Sequence, residues 1–326
     1  MIKINYTISL TNKCNLNCEY CYEKNLNTEL GSLSEDTARY TVNFLKNKPI
    51  DILYLFGGEP LLMKDMIKYL TLNIKAEKYV ITTNGVLLEE DFVKWCSDNN
   101  VAINLSHDGE DCSKRGLDAS FLNEKLKLLL KYRPETLVQM VYNEDSLMDL
   151  EKNILYFKEL GVKKIFPAMD SFLKPKDIDA FADNMKMVWE RLYNITDVYI
   201  LQFGDKIKVL NGKPITPCEI GKKNMYINWD GKIYPCVQFQ NREEFCAGDV
   251  INGLNIKPLL QRHPNYSNVA KRCDGCEISQ YCQNACACRK MSSTNGLDDI
   301  SEAACIEQQV LLLTILNKQI NEIYRR

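Results

Sequence analysis

Six short runs of the chain carry β-branched, aromatic and other apolar residues in the manner of strands: 5–10, 51–56, 79–83, 101–106, 137–142 and 164–167. Between and after them the apolar positions fall at helical spacing, over 34–45, 64–75, 89–98, 120–132, 146–160 and 176–192. Ser34 with Thr37, and Asp91, stand near helix starts, and Gly161 follows a helix end. Strict strand-helix alternation predicts parallel strands joined by helical crossovers. Six such units are too few to close an eight-stranded barrel, so residues 1–204 are expected to form a partial, TIM-like (β/α)6 barrel.

Beyond about residue 205 the pattern changes. The runs become short, and Gly, Asn, Pro and Cys become frequent. The segments 223–229 and 232–235 flank Asp230-Gly231 and read as a hairpin. Residues 300–326 place Val310, Leu313, Leu316, Ile320 and Ile323 on a helical stripe, expected to pack on a core. Residues 205–326 are therefore taken as a second, small Cys-rich domain of a β-hairpin, loops and helices that ends in a C-terminal helix, and no fixed-period repeat or low-complexity linker is found.

Composition adds one anomaly to an ordinary balance. Apolar residues make up 45% and charged residues 26%, which excludes wholesale disorder. A net charge of -2 gives no basic excess for nucleic acid or an anionic membrane. The start, MIKINYTISLTNK, has no signal-peptide core or spanning run, so a cytoplasmic protein without membrane or nucleic-acid partners is expected. Yet there are 14 cysteines beside two histidines, nine of the cysteines after Leu201. A chain of this size needs no disulfide staples, and a reducing compartment would not keep them. Thiols in that number point to metal ligation, and the scarcity of His disfavours mixed Cys/His zinc fingers.

Cys14, Cys18 and Cys21 directly follow the first strand, spaced C-x3-C-x2-C. Three thiolates hold a four-iron cubane while leaving one iron open, the mark of a reactive rather than a structural centre. A zinc knuckle short of one ligand is the bland alternative. The remaining short motifs each end a strand, where such a barrel carries its active site: Phe56-Gly57-Gly58-Glu59-Pro60, Thr82-Thr83-Asn84-Gly85 and Ser106-His107-Asp108-Gly109.

Taken together, these motifs resemble the radical S-adenosylmethionine (SAM) superfamily. The resemblance implies a [4Fe-4S] cluster on Cys14, Cys18 and Cys21 that chelates SAM and cleaves it to a 5′-deoxyadenosyl radical. It implies that Gly57, Gly58 and Pro60 shape the methionine site and that Glu59 accepts from its ammonium. Asn84, Ser106 and Asp108 would reach the same cofactor, and Tyr20 would pack near adenine. Arg115 is a candidate for a SAM or substrate carboxylate, with a solvated surface position as the alternative.

The distal cysteines spell Cys218-x12-Gly231-x4-Cys236, then Cys273-x2-Cys276-x5-Cys282-x3-Cys286, and finally Cys305. This resembles the SPASM extension of radical SAM peptide-modifying enzymes. It implies two auxiliary [4Fe-4S] clusters, three in all. Cys273, Cys276, Cys282 and Cys305 would hold one completely, and Cys218, Cys236 and Cys286 would give three ligands to the other. The latter has an open iron or a ligand from elsewhere, with Cys246 and Cys288 the spare thiols; a four-cysteine zinc staple is the alternative. Relatives that oxidise sulfatases carry Asp directly after the cysteine matching Cys236, where this chain has Val237 and Gln238.

The resemblance implies an enzyme that oxidatively modifies a ribosomally made peptide, through a thioether or carbon-carbon cross-link, with auxiliary clusters taking the electron. A flavodoxin- or ferredoxin-type reductant is expected. The chain begins almost at its first strand, so either a short substrate bound at the barrel mouth or delivery by a separate leader-binding protein is expected. The rival readings are a peptide epimerase with Cys112 as hydrogen donor, and a non-catalytic electron-transfer or zinc protein. Cys96 reads as a buried small hydrophobe, and His107 and His263 have no partner pattern.

Overall fold

In the computed structural model the described residues are 3–26, 29–212, 223–262, 273–282, 287–294, 296–297 and 299–324. The apolar runs form β1 (Ile4–Thr11), β2 (Ile50–Gly57), β3 (Lys78–Thr83), β4 (Val101–Ser106), β5 (Leu137–Tyr142) and β6 (Lys164–Met169). Short strands follow: β7 (Tyr199–Ile200), β8 (Asn224–Ile227), β9 (Ile233–Tyr234), β10 (Gly248–Asp249) and β11 (Gly253–Leu254). The helices are α1 (Glu23–Leu26), α2 (Glu35–Leu45), α3 (Lys64–Asn73), α4 (Glu90–Asp98), α5 (Ala119–Tyr132), α6 (Leu150–Glu159), α7 (Ile178–Leu192), α8 (Leu201–Leu210), α9 (Lys257–Arg262), α10 (Ala287–Thr294) and α11 (Glu302–Tyr324). Six strands and six helices thus match the periodicity. The β7–α8 unit was not foreseen, because its strand is two residues long and runs directly into the helix.

The chain divides into two compact units: Met1–Ser106 with Asp111–Thr136 and Cys218–Tyr266, and His107–Glu110 with Leu137–Pro217 and Ser267–Arg326. In the first, β4, β3, β2 and β1 pair in that order, all parallel, and β8 pairs parallel on the far side of β1. β9 then pairs antiparallel with β8, which is the hairpin expected at Asp230-Gly231. Asn5 locks this junction: its amide donates to Asn224 Oδ1 at 3.0 Å and accepts from Ile52 N at 3.2 Å. Ile8, Leu53, Leu55, Ile81, Val101 and Leu105 are fully buried, as are Ala38, Ile67, Leu70, Val93, Leu122 and Leu126 of the helices. Each Val, Leu or Ile among them contributes about 1.5–3 kcal/mol by leaving water. Period two leaves Phe56, Thr82, Asn104 and Ser106 half-exposed on the other face. Ser34 caps α2 as expected, its hydroxyl accepting from Thr37 N at 3.1 Å.

In the second unit β5, β6 and β7 pair parallel in that order. α11 packs against α7 and α8. Its buried face corrects the expected stripe in part: Val310 is buried as expected, with Ala304, Glu307, Gln308, Leu311, Leu312 and Ile315, whereas Leu313 and Ile320 are 54% and 48% exposed. Two polar residues on the inner face displaced the apparent apolar seam. Among the described residues, no helix is long and apolar enough to cross a membrane.

Candidate active site and cluster ligands

Cys14, Cys18 and Cys21 lie on the loop that leaves β1, none of them in a disulfide, Cys14 exposed and the others half-buried. Lys24 holds the loop, its Nζ donating to Asn17 O at 3.1 Å and Cys18 O at 2.6 Å. Leu16 N donates to Cys14 Sγ at 3.4 Å, and Asn84 Nδ2 donates to the same sulfur at 3.7 Å. Desolvation raises the Cys14 thiol above its ordinary range, and the Leu16 N–H opposes that shift by stabilising the thiolate, the form that binds iron. Among the described residues, no three His, Cys, Asp or Glu donors converge on a position for one metal ion; a four-iron cube spans thiolates set farther apart than a single ion does. Cysteines outside any disulfide, on a strand-end loop with N–H···S donors to Cys14, suit such a cube.

The two glycines ending β2 act first on the protein itself. Gly58 N donates to Thr11 O at 2.7 Å and Glu59 N to Lys13 O at 2.9 Å, pressing this turn against the start of the cysteine loop. Gly57 has φ +147°, and a Cβ there would overlap Thr11 O. A Cβ on Gly58 would overlap Lys13 O and lie 2.8 Å from Asn12 O. Only residues without a side chain permit this approach.

Glu59 is 1% exposed. Its Oε1 accepts from Leu61 N at 2.9 Å and Thr83 Oγ1 at 2.7 Å, and its Oε2 accepts from Asn84 N at 2.9 Å. Burial pushes this carboxyl above its ordinary range, while those donors oppose the shift. Glu59 thereby caps the short turn Pro60–Met63, with Pro60 at its first position, and ties it to the end of β3. Asn84 extends the tie, its Nδ2 donating to Asn15 Oδ1 at 2.8 Å.

Tyr20 is half-exposed, and the Arg115 guanidinium stands 5.4 Å from its ring centroid. Arg115 is only 6% exposed, so it is not a solvated surface residue. Glu19 N donates to Lys114 O at 2.9 Å, joining the two loops. Cys112 is buried at 2% exposure, and Cys96 is fully buried with its thiol pushed up to about 12 by desolvation. Ser106 ends β4, half-exposed. In the second unit, Asp108 is 9% exposed and one of its oxygens accepts from Val141 N at 3.1 Å. His107 is a packed core histidine, its ring edge-on to Phe157 at 5.0 Å and its Nδ1 accepting from Gly109 N at 3.2 Å.

Of the distal cysteines, Cys236 belongs to the first unit, a free, half-exposed thiol just after β9. A buried chain that sequence reasoning missed ties its loop to the first cysteine loop: Tyr226 Oη donates to Gln240 Oε1 at 2.7 Å, and Gln240 Nε2 to Glu23 Oε2 at 2.9 Å. Cys246 is also free, its Sγ donating to Gly248 O at 3.4 Å. Cys273, Cys276, Cys282 and Cys305 fall in the second unit, half-exposed and none of them in a disulfide. Cys276 N donates to Cys273 O at 3.1 Å, and Gln309 Nε2 donates to Cys305 Sγ at 3.3 Å. Burial raises the Cys273 thiol, and nearby Cys276 and Cys305 add to the rise, so these three share one neighbourhood. Cys218, Cys286 and His263 lie outside the described residues, as does the side chain of Cys288.

Residues 8–183 match the family model described as the Radical SAM superfamily. The chain is 25% identical over 342 residues to the cysteine-type anaerobic sulfatase-maturating enzyme of Clostridium novyi, covering 89% of each. It is 24% identical over 304 residues to the antilisterial bacteriocin subtilosin biosynthesis protein AlbA of Bacillus subtilis, covering 85% of this chain and 65% of that one. Its fold is similar to that of native anSMEcpe with bound AdoMet and the peptide Kp18Cys, with a TM-score of 0.74, 21% identity and full coverage of both chains. The parallel α/β sheet, the C-x3-C-x2-C loop at its first strand end and the matched model agree: the chain is an enzyme of the radical SAM superfamily.

Proposed function

We propose that this enzyme modifies a ribosomally made peptide oxidatively, forming a thioether or carbon-carbon cross-link, with SAM and three [4Fe-4S] clusters as cofactors. The observation that carries the reading is the junction of Cys14, Asn84 and Glu59, where N–H donors converge on a thiol sulfur beside a buried carboxylate. The similarity to two maturation and biosynthesis proteins, one for sulfatases and one for a bacteriocin, supports a peptide or protein substrate.

Cys14, Cys18 and Cys21 would hold the first cluster, which with SAM supplies the 5′-deoxyadenosyl radical when bound. Glu59 Oε2, already accepting from Asn84 N, would turn its remaining lone pair to an ammonium. Tyr20 would offer a ring face to adenine, with Arg115 on the ring behind it. Ser106 and Asp108 would complete the polar lining. Cys273, Cys276, Cys282 and Cys305 would hold one auxiliary cluster, and Cys236 with Cys218 and Cys286 part of another. Val237 in place of Asp argues against the sulfatase reaction. Residues 1–204 would form the radical domain and 205–326 the auxiliary-cluster domain, in a cytoplasmic enzyme served by a flavodoxin- or ferredoxin-type reductant and, where needed, a leader-binding protein.

The test is anaerobic incubation of the reduced, reconstituted enzyme with SAM and peptides encoded beside its gene. Release of 5′-deoxyadenosine with loss of two hydrogens per event supports cross-linking. Gain of one deuterium in heavy water, without net oxidation, would replace it by epimerisation.

A further inference from the structure

Helix α8 buries three residues at a spacing of three, Phe203, Lys206 and Val209. Lys206 has no exposed surface, a rare place for a lysine. Its Nζ donates to Tyr281 O at 2.8 Å and to Gln308 Oε1 at 2.7 Å. Both acceptors are neutral, and among the described residues no carboxylate lies within ion-pairing distance of this ammonium. Glu307, whose field it feels, is already engaged by Tyr142 at 2.7 Å and Arg289 at 3.3 Å. Binding one carbonyl and one amide requires no charge, and a buried cation without a counter-charge is costly.

Both acceptors neighbour predicted cluster ligands. Tyr281 immediately precedes Cys282, and Gln308 lies three residues past Cys305. Burial lowers the proton affinity of Lys206, while Cys282 and Glu307 oppose that. Lys290, also buried, acts electrostatically on Cys273. A cubane on four thiolates is an anion that becomes more negative on taking an electron, and its potential follows local charge and hydrogen bonding.

We propose that Lys206 is the buried counter-charge of the cluster held by Cys273, Cys276, Cys282 and Cys305, and raises that cluster's reduction potential so that it accepts an electron. The inference rests on the reading that these four thiols hold a cubane.

The test uses the full chain, reconstituted anaerobically, as wild type and as Lys206→Met, Lys206→Arg, Gln308→Glu and Cys305→Ala. Iron and sulfide are counted first, and each cluster's midpoint is then followed by EPR in a potentiometric titration. The relevant signal is the one Cys305→Ala removes; if that variant loses neither iron nor a signal, the cluster reading fails and the lysine is not at issue. With the signal assigned, Lys206→Met should keep full iron yet show a reduced-to-oxidised ratio at least tenfold lower at the wild-type midpoint, a shift of about 59 mV. Lys206→Arg should restore the midpoint. Gln308→Glu, nearly isosteric, should lower it with the lysine in place, and decides the matter if Lys206→Met loses iron. An unmoved midpoint in an iron-replete Lys206→Met or Gln308→Glu chain overturns the proposal, as does an Arg variant as low as Met.

Discussion

Asn84 donates its backbone N–H to Glu59 Oε2 at 2.9 Å, while its side-chain amide donates to Cys14 Sγ at 3.7 Å. One residue at the end of β3 thus couples the acid ending β2 to a thiol leaving β1. Glu59→Gln replaces an acceptor by an amide whose N–H₂ must face one of three donors. The expected cost is about 1–3 kcal/mol of stability, together with weaker SAM binding; urea unfolding and equilibrium dialysis check the two effects.

The same carboxyl gives a pH signature. Burial raises its pKa in the folded state, so the folded chain holds this proton to higher pH than the unfolded chain. Where the folded state binds more protons, stability falls as pH rises. The Glu59 contribution is therefore fully present below the ordinary carboxyl value and is lost as pH climbs through the raised one. Urea midpoints of the apo chain from pH 4 upward should show this decline, and Glu59→Gln should remove it; parallel curves would refute the assignment.

Gly58→Ala forces a methyl group onto Lys13 O and within 2.8 Å of Asn12 O, both backbone atoms that cannot rotate away. Overpacking of this kind costs about 1–3 kcal/mol. The strain falls on the first residues of the cysteine loop, so iron per chain after reconstitution should drop along with the melting temperature. A variant that melts lower yet takes up full iron would show that the glycine serves only the turn.

Much of this was legible in the sequence, and the exceptions share a cause. β1 to β6 and their helices were readable because one face of each is apolar at the right period. The inner face of α11 was not, because Glu307 and Gln308 occupy it, so the apolar seam appeared one position away. β8 was foreseen as part of a hairpin, but no local pattern states that Met225, Tyr226 and Ile227 pair with Tyr6, Thr7 and Ile8. The cysteine spacings and strand-end motifs were visible. The work of Glu59 on Thr83 and Asn84 was not, since those donors stand 24 and 25 residues away. Lys206 did leave a trace, a lysine between Phe203 and Val209 on one helical face.

Arg115 lies over the Tyr20 ring at 5.4 Å and is almost completely buried. A desolvated cation on an aromatic face contributes up to about 2 kcal/mol. Arg115→Met keeps the length of the side chain but not the charge. If Tyr20 receives adenine, SAM affinity should fall roughly tenfold, 1.4 kcal/mol being about one factor of ten. Equilibrium dialysis of the reconstituted enzyme reads this directly, and unchanged affinity would remove Arg115 from the SAM site.

Tyr142 closes β5 with its hydroxyl donating to Glu307 Oε1 at 2.7 Å, and Arg289 reaches the other oxygen at 3.3 Å. The carboxylate is buried on the inner face of α11, two residues past Cys305. Tyr142→Phe preserves the ring and deletes only the donor, so Oε1 is left desolvated with one partner fewer. Losing one partner of a buried charged group costs about 1–3 kcal/mol. Tyr142→Phe with Glu307→Gln should cost less than the two single changes added, because the neutral amide no longer needs that donor. Additive losses in a double-mutant cycle, read by urea unfolding of the apo chain, would show that the two side chains stabilise the protein independently.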